Sequence, residues 1–497
     1  MPAATKATKA AKRPKFRVSH DTLGEVRVPA DMLYGAQTQR AVENFPISGY
    51  RLPRRFIRAQ GIIKKAAALA NRDLGTLTAK LDRPAIDALI AACDEVIAGA
   101  LDQHFVVDAY QAGAGTSQNM NANEVISNRA QQLLGLKLGD VGKVHPNDHV
   151  NMGQSTNDTI HVAMHIAVVE AIVHDLDPAI ARLEEVFRTK AQEWDHVLKA
   201  GRTHLQDAVP MRLSQEMLGY AANLAIHRRA LKDAVKYLLE IGIGGNAIGS
   251  GINTPPGFAE TACKYIAGET GLPFVLPESL FAFVQNTEAA NIAGGVLNAL
   301  AGCLCKIAGD IRLLASGPRT GLDELGLPAV QPGSSIMPGK VNPVMAEMLT
   351  QVTYQVMGCC TTVSYATAAG QLELNVMMPV IAYNLLHSCT ILSNATDAFR
   401  ERCVEGMTVN EARCLQWLLK TPQIATALNP IIGYEAAAKV VKKAVAEDRD
   451  ILDVVVADGI VSEKDLKEKL DLRKLTGTLT GKSGKAKSSP KRNGKRK

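Results

Sequence analysis

The sequence predicts a mainly α-helical protein built on long helices, and three observations carry that expectation. Aromatic residues make up 4% of the chain against 46% hydrophobic residues. Ala and Leu therefore carry the apolar load, which favours packed helices over stacked sheets. Apolar residues recur at spacings of three and four through most of the chain. Between these stretches lie Gly/Asn- or Gly/Pro-rich breaks, as in the runs opening at Gly113, Gly244 and Gly333.

In chain order, residues 17–46 hold Val26–Val28, Pro29, Gly35 and Pro46 and read as a short hairpin or extended entry segment. From about 56 to 103, Ile62, Ala66 and Leu69, then Ile86, Leu89, Ile90, Cys93, Val96 and Ile97, mark helix faces. The polar run at 113–123 opens a helix near Asn123–Leu134. Leu176, Ile180, Leu183, Phe187, Ala191 and Trp194 form one stripe on a long helix, with Pro178 in its first turn or at a kink. From Ala289 to Leu314 the pattern is apolar nearly all round, which predicts burial on all faces, within one bundle or one shared between subunits. The stretch Gly244–Gly257 is a loop between helices. It lacks a G-x-G-x-x-G following a strand, so a dinucleotide site is a weak reading. Residues 406–475 form a smaller final unit, helical near Tyr434–Glu447, Ile451–Asp458 and Ser462–Leu470.

The 497 residues suffice for more than one hydrophobic centre. No run of 18 uncharged apolar residues occurs, so no membrane-spanning helix is expected. The basic N-terminus lacks a following apolar stretch, so a cytoplasmic location is expected rather than secretion. The nine cysteines are odd in number and form no Cys-x-x-Cys pairs. Reduced, mostly buried thiols fit better than a disulfide framework or zinc site. The net charge of +7 is uneven: residues 1–16 and 481–497 together carry thirteen basic side chains and no acid, leaving −6 on residues 17–480. The acidic body argues against a nucleic-acid-binding core. The tails are expected to be disordered, with at most weak, salt-sensitive contact with a polyanion.

The most informative segment is Gly-Ser-Ser-Ile-Met-Pro-Gly-Lys-Val-Asn-Pro at 333–343. Its glycines and prolines shape a loop. Lys340 offers a cation for a carboxylate, Asn342 a neutral donor and acceptor, and Ser334 and Ser335 short hydroxyls. Three further segments precede it: Gly-Ala-Gly-Thr-Ser-Gln-Asn-Met-Asn-Ala-Asn-Glu-Val from Gly113, His-Val-Asn-Met-Gly-Gln-Ser-Thr-Asn-Asp from His149, and Gly-Arg-Thr-His-Leu-Gln-Asp-Ala at 201–208. Singly, such residues have ordinary roles, since Ser and Thr cap helices and most histidines are simply hydrogen-bonded.

As an ordered set over roughly residues 17–475, these segments resemble the signature motifs of the fumarase/aspartase superfamily. Its members eliminate an amine or alcohol from a succinyl-type substrate to release fumarate. The resemblance implies a three-domain fumarase/aspartase-like fold: a mixed, mostly helical domain at 17–155, a long-helix bundle at 156–405 and a small helical domain at 406–475, between basic tails at 1–16 and 476–497. It also implies a homotetramer with a 20-helix core and active sites shared between subunits, a small dicarboxylate substrate and no organic cofactor. Separately, no His, Asp and Glu cluster has metal-ligand spacing, so no metal site is expected, and activation by a divalent ion bound elsewhere stays open.

The chemistry explains why such residues are needed. Taking the proton beside a carboxylate leaves a dianionic aci-carboxylate, which must be bonded better than the ground state. By resemblance Thr116, Ser155, Thr156 and Ser335 surround that group, Thr203, Lys340 and Asn342 hold the other carboxylate, and His204 and Asn157 face the departing group. Ser334 is the expected base; its alkoxide requires backbone N–H groups and Lys340 nearby, under a loop that closes. Glu347 is the expected partner of His204.

Thr-Ser-Gln-Asn-Met-Asn at 116–121, Gln-Ser-Thr-Asn-Asp at 154–158, Val344-Met345 and Asn-Val-Met-Met-Pro-Val at 375–380 are similar to the aspartase (aspartate ammonia-lyase) branch. Gln-Thr-Gln-Arg at 37–40 and Val-His-Pro-Asn-Asp at 144–148 are similar to the fumarase branch. The first expectation is therefore release of ammonia from L-aspartate, with hydration of fumarate to L-malate (a class II fumarate hydratase) as the alternative. A lyase body kept only for polyanion binding is the non-enzymatic alternative. Thr159–Val162, including His161, together with Asn246 and Gly358-Cys359-Cys360, depart from the family pattern and bear on substrate choice.

Overall fold

The Ala-rich stretch Arg54–Asp73 forms a helix that buries Phe56, Ile57, Ile62 and Ile63 on a bed of small side chains. Each such side chain contributes roughly 1.5–3 kcal/mol by leaving water. The helix packs on Arg83–Ala98, Thr156–Ala171 and Phe258–Thr270. Close approach here depends on small residues, since a Cβ on Gly61 would stand 2.9 Å from Ile97. The computed structural model describes residues 15–139 and 142–478. The tails expected at 1–16 and 476–497 lie almost wholly outside the described residues. The protein is mainly helical, and its described strands form three two-stranded antiparallel pairs.

Two compact units divide the described chain. One contains the residues up to 178 with 227–302 and 352–394; the other contains 179–226, 303–351 and 395 onward. The first opens with the expected hairpin, Phe16–Asp21 against Gly24–Pro29, with Phe16 opposite Pro29. Asp21 secures its turn by accepting from Leu23 N (2.9 Å) and Arg40 Nε (2.9 Å). Arg83–Ala98 begins where Asp82 caps Ala85 N (3.1 Å) and ends at the left-handed Gly99. Its Leu89, Cys93 and Val96 join Val125 and Ile126 of Thr116–Leu133 in one core.

Thr116–Leu133 starts seven residues before the expected Asn123. The Asn- and Gln-rich opening reads as loop by composition, yet Gln118, Asn119, Asn121 and Asn123 are buried and hydrogen-bonded on the helix. Asn121 Nδ2, for example, donates to His104 O (2.9 Å). The stripe around Pro178 belongs to a longer helical run, Thr156–Glu193. It passes from α-helix through the π-turn Ile172–Leu176 back to α-helix at Asp177–Glu193. Pro178 thus sits at the start of a new α-segment, where its missing N–H costs little.

By length and composition Thr156–Glu193 and Glu288–Leu314 could each cross a membrane, but 83% of the first helix's apolar window is buried within the chain. For Glu288–Leu314 the figure is 44%. Burial on all faces is therefore not reached within one chain: Ile292 and Leu313 are exposed.

In the second unit, Leu198–Thr203 pairs with Gln206–Arg212 in a hairpin bulged between Ala200 and Arg202. Leu325–Gly326 pairs with Thr408–Val409. Residues 422–470 form a small helical core of Ile424, Leu428, Val440, Ile451, Val454 and Val455. All nine cysteines are free thiols; Cys303 and Cys305 are half-buried and the other seven buried.

Candidate active site

The expected site residues fall into two sets, one in each unit. In the first unit, Gly115 takes a left-handed φ of 82° and delivers Thr116, exposed, as the first residue of its helix. Gly113 runs so close to residue 376 that a Cβ would lie 1.9 Å from Val376 O. The 113–116 loop is thereby seated against Asn-Val-Met-Met, and Gly113 O accepts from Met378 N (3.2 Å).

Ser155 caps the helix that follows it. Ser155 N donates to Asp158 Oδ1 (3.0 Å), while Ser155 Oγ accepts from Asn157 N (3.3 Å). Asp158 is wholly buried, and its Oδ2 accepts from Gly244 N (3.1 Å) and Asn246 N (2.9 Å). Burial pushes its carboxyl up to about 6, against the pull of these N–H groups and of Lys64. Asn246, one of the departures, has a φ of 60°, a conformation that asparagine tolerates better than a β-branched threonine. Asn157 Nδ2 donates to Ala247 O (2.8 Å), binding the same loop to the helix start.

Thr156 Oγ1 accepts from Asn119 Nδ2 (3.2 Å). Beneath them lies a residue that the sequence reading missed. Lys64 is buried and donates to Asn119 Oδ1 (2.8 Å), Gln154 Oε1 (2.9 Å) and Asn151 Oδ1 (3.0 Å). With no carboxylate in contact, burial pulls its amine down to about 7, opposed by Asp158 and Cys93. The sequence carries no signal for it: a lysine on an Ala-rich helix reads as solvated, and only the structure shows Gln60, Lys64 and Asn71 buried.

His161 points away from this network. It is buried against Phe283 (ring centroids 4.0 Å apart, stacked) and the edge of His165 (4.8 Å). His165 Nδ1 donates to Glu240 O (2.9 Å) and Leu238 O (3.1 Å). Burial lowers both imidazoles, His165 to about 4, so both are neutral. The Phe283 backbone opposes this for His161, though no ring nitrogen of His161 meets a partner in hydrogen-bonding geometry.

In the second unit, Thr203 and His204 sit at the exposed tip of the 198–212 hairpin. Thr203 pairs with Gln206, so His204 and Leu205 alone form the turn, with φ of 56° and 59°. Both residues are non-glycine in the left-handed region, a strained choice that clusters at functional positions. The hairpin is anchored by a buried ion network: Glu324 Oε1 accepts from Arg202 Nη1 (2.7 Å), and Lys199 Nζ lies 2.8 Å from Glu324 Oε2 and 2.6 Å from Glu216 Oε2. The Lys199–Glu324 approach is an ion contact outside hydrogen-bonding geometry. Burial pulls the Lys199 amine down, but the two carboxylates outweigh it and hold the amine above its ordinary value.

The 333–343 loop closes on itself. Gly333 N donates to Lys340 O (2.8 Å) and Asn342 Nδ2 to Gly333 O (2.6 Å). A Cβ at Gly333 would stand 2.4 Å from Lys340 O, so only glycine fits. Ser334 Oγ accepts from Met337 N (2.9 Å) and Ile336 N (3.2 Å), while Ser335 is exposed. Lys340, Asn342 and Glu347 line one cleft of about 890 Å³ together with Arg312 and Ser316. Ile336, at the loop tip, is 82% exposed. Among the described residues, neither His204 nor Glu347 makes a side-chain hydrogen bond or ion pair, so the expected pair is not formed within one chain. No group of three or more His, Cys, Asp or Glu side chains suited to a metal occurs among the described residues.

These two sets offer hydroxyl, amide and cationic donors and no exposed nucleophilic thiol, which suits stabilising an anion on a small polar substrate. Comparison with known proteins agrees. A family model described as "Lyase" matches residues 24–358, and "Fumarase C C-terminus" matches 424–477. A class II fumarate hydratase of Halobacterium salinarum is 50% identical over 468 residues, 94% of this chain and 98% of that protein. An aspartate ammonia-lyase of Bacillus subtilis is 45% identical over 452 residues, 91% of this chain and 94% of that protein. The crystal structure of a class II fumarase from Schistosoma mansoni superposes with a TM-score of 0.88 at 35% identity, covering 93% of this chain and 99% of that one. The chain belongs to the fumarase/aspartase superfamily of lyases.

Proposed function

We propose that this chain is a class II fumarate hydratase, interconverting L-malate and fumarate. The observation that carries this is the greater similarity to a fumarate hydratase, 50% identity across 98% of its length against 45% across 94% for the aspartate ammonia-lyase. The 333–343 loop supports the lyase chemistry itself. Ser334 Oγ already accepts two backbone N–H groups, the donors that an alkoxide would require.

In this reading Ser334 takes the proton from the carbon beside one carboxylate. Thr116, Ser155, Thr156 and Ser335 bond the resulting aci-carboxylate. Thr203, Lys340 and Asn342 hold the second carboxylate. As the carbon–oxygen bond breaks, His204 gives a proton to the departing hydroxyl, which leaves as water beside Asn157. The residues come together in a homotetramer; exposed Tyr237, Ile292, Tyr354 and Tyr365 on the long helices support association of copies.

A second reading, elimination of ammonia from L-aspartate, is favoured by Thr-Ser-Gln at 116–118 and Gln-Ser-Thr-Asn-Asp at 154–158. Following fumarate absorbance with L-malate and with L-aspartate separates the two. Fumarate from L-malate is expected; fumarate from L-aspartate alone would replace the first reading by the second. Ser334→Ala is expected to fold normally and lose turnover by roughly 10²–10⁴-fold. Near-normal turnover would remove Ser334 as the base.

A further inference from the structure

We infer that Lys64 is a positioning residue for this site, a buried amine that in its protonated form fixes the direction of hydrogen bonding through Asn119 and aims the Thr156 hydroxyl at a bound carboxylate. The inference rests on the reading that Ser155 and Thr156 receive a substrate carboxylate.

The geometry gives the chain of donors. Once protonated, Lys64 can only donate, so the atom of Asn119 facing it at 2.8 Å is then its oxygen. Thr159 Oγ1 reaches the same oxygen (3.3 Å). The Asn119 amide nitrogen must then face the other way, where it donates to Thr156 Oγ1 (3.2 Å) and Asn151 Oδ1 (3.2 Å). Thr156 Oγ1, having accepted from Asn119, keeps its own hydrogen for another acceptor, and an incoming carboxylate is that acceptor. Without the ammonium the amide is oriented only by Thr159 and Asn151, and a flipped Asn119 would present its oxygen to Thr156 and draw that hydroxyl hydrogen away from the ligand.

Lys64 also supplies charge. Its three direct partners, from the Thr116–Leu133 helix and the 151–154 segment, are neutral amides. The titratable groups acting on it are Asp158 of the Thr156–Ala171 helix and Cys93 of the Arg83–Ala98 helix. Asp158 spends its oxygens on three backbone N–H groups, and burial pushes the Cys93 thiol up and keeps it neutral. The amine, with its value near 7 in the empty site, is thus poised to gain a proton when a dianion arrives above it.

The test is calorimetric binding of succinate, a saturated four-carbon dicarboxylate, to the full chain at pH 8 in two buffers of different ionisation enthalpy. The wild type is expected to take up most of one proton per site on binding. Lys64→Met should bind succinate at least tenfold more weakly and with that proton uptake gone. Lys64→Gln, which keeps a polar group in the same space, should also lose the uptake. Succinate binding as tightly to Lys64→Met as to the wild type, or uptake persisting in both variants, overturns the role of Lys64 while leaving the dicarboxylate site standing. If Thr156→Ala binds succinate as tightly as the wild type does, the reading of the site fails, and the inference with it. A purely structural Lys64 would alter stability in the variants but leave their affinity for succinate unchanged.

Discussion

The turn at His204-Leu205 is a local fault in folding terms, and its removal has a calculable effect. Two-residue hairpin turns with positive φ at both positions match strand twist but favour Asn-Gly. Here His204 and Leu205 hold φ of 56° and 59°. The left-handed conformation costs an ordinary L-residue about 1–2 kcal/mol. Leu205 is 71% exposed, so little burial offsets that cost. Leu205→Gly removes the strain but frees the unfolded chain by roughly 0.5–1 kcal/mol, leaving a net gain of about 0.5–1 kcal/mol. Leu205→Val puts a β-branched residue at the same φ and should lose about 1 kcal/mol.

Urea unfolding midpoints of the two variants should therefore move in opposite directions, with Leu205→Gly keeping whatever lyase turnover the wild type shows. His204→Asn tests the other half of the turn. Asparagine accepts the left-handed region, so stability should hold or rise slightly, while turnover falls by roughly 10²–10⁴-fold if His204 attends the leaving water. Opposite movement of stability and activity is what strain retained for function requires. Glycine and valine variants shifting the same way would refute the strain argument, and an active His204→Asn would refute its functional half.

Two further outcomes follow from buried charge. Glu324→Gln leaves Arg202 and Lys199 short of a carboxylate and should cost about 3 kcal/mol in urea unfolding. The double variant with Lys199→Met should recover at least about 1 kcal/mol of the summed losses, and a single-variant effect below about 1 kcal/mol would show the network to be weakly held. For Lys64 the sign runs the unusual way. Its folded value, about 7, lies below the unfolded 10.5, so between these values the unfolded chain holds a proton that the folded chain lacks. Stability from this group therefore rises with pH, and the gap between wild type and Lys64→Met should shift in favour of wild type by roughly 3 kcal/mol from pH 6.5 to 9.5. An unchanged gap would mean that the amine titrates near its ordinary value.

Where burial is achieved by repeating apolar spacing, the sequence predicts the structure well. The stripes at 62–69 and 86–97 lie on helices, as does that at 176–194 up to Trp194, which sits just past the helix end, and Tyr434–Glu447 has the expected bounds. The same logic fails where a helix buries polar groups. Thr116–Leu133 hides its first turns behind asparagines whose partners are distant in sequence, and periodicity carries no record of them. Lys64 is invisible for a related reason: a lysine in an Ala-rich helix reads as solvated, and only the facing amides of Asn119, Asn151 and Gln154 make it a buried cation. Glu288–Leu314 errs in the opposite direction, because its apolar circumference states what must be covered without stating which chain covers it. Among the site residues, the loop bonds around Ser334 were expected from chemistry. The strained turn under His204 was not, since its sequence breaks the rule by which such turns are recognised.

The electrostatics of the first unit connect these features. The body of the chain, residues 17–480, carries a net −6, an unpromising surface for a dicarboxylate. Attraction must then be local and built in. Thr116 and Thr156 each open a long helix, and the positive end of a helix favours anions without any charged side chain. Asn119 joins the two helix starts by reaching from one to the Thr156 hydroxyl of the other, and Lys64 Nζ lies behind that junction out of contact with solvent. Asp158 could cancel this field, but its oxygens are occupied by backbone N–H groups of Ser155, Gly244 and Asn246. Positive potential is in this way directed at one spot while the exterior stays acidic. Long-range steering of the substrate should accordingly contribute little, and affinity should depend on groups within a few ångströms, where added salt screens least.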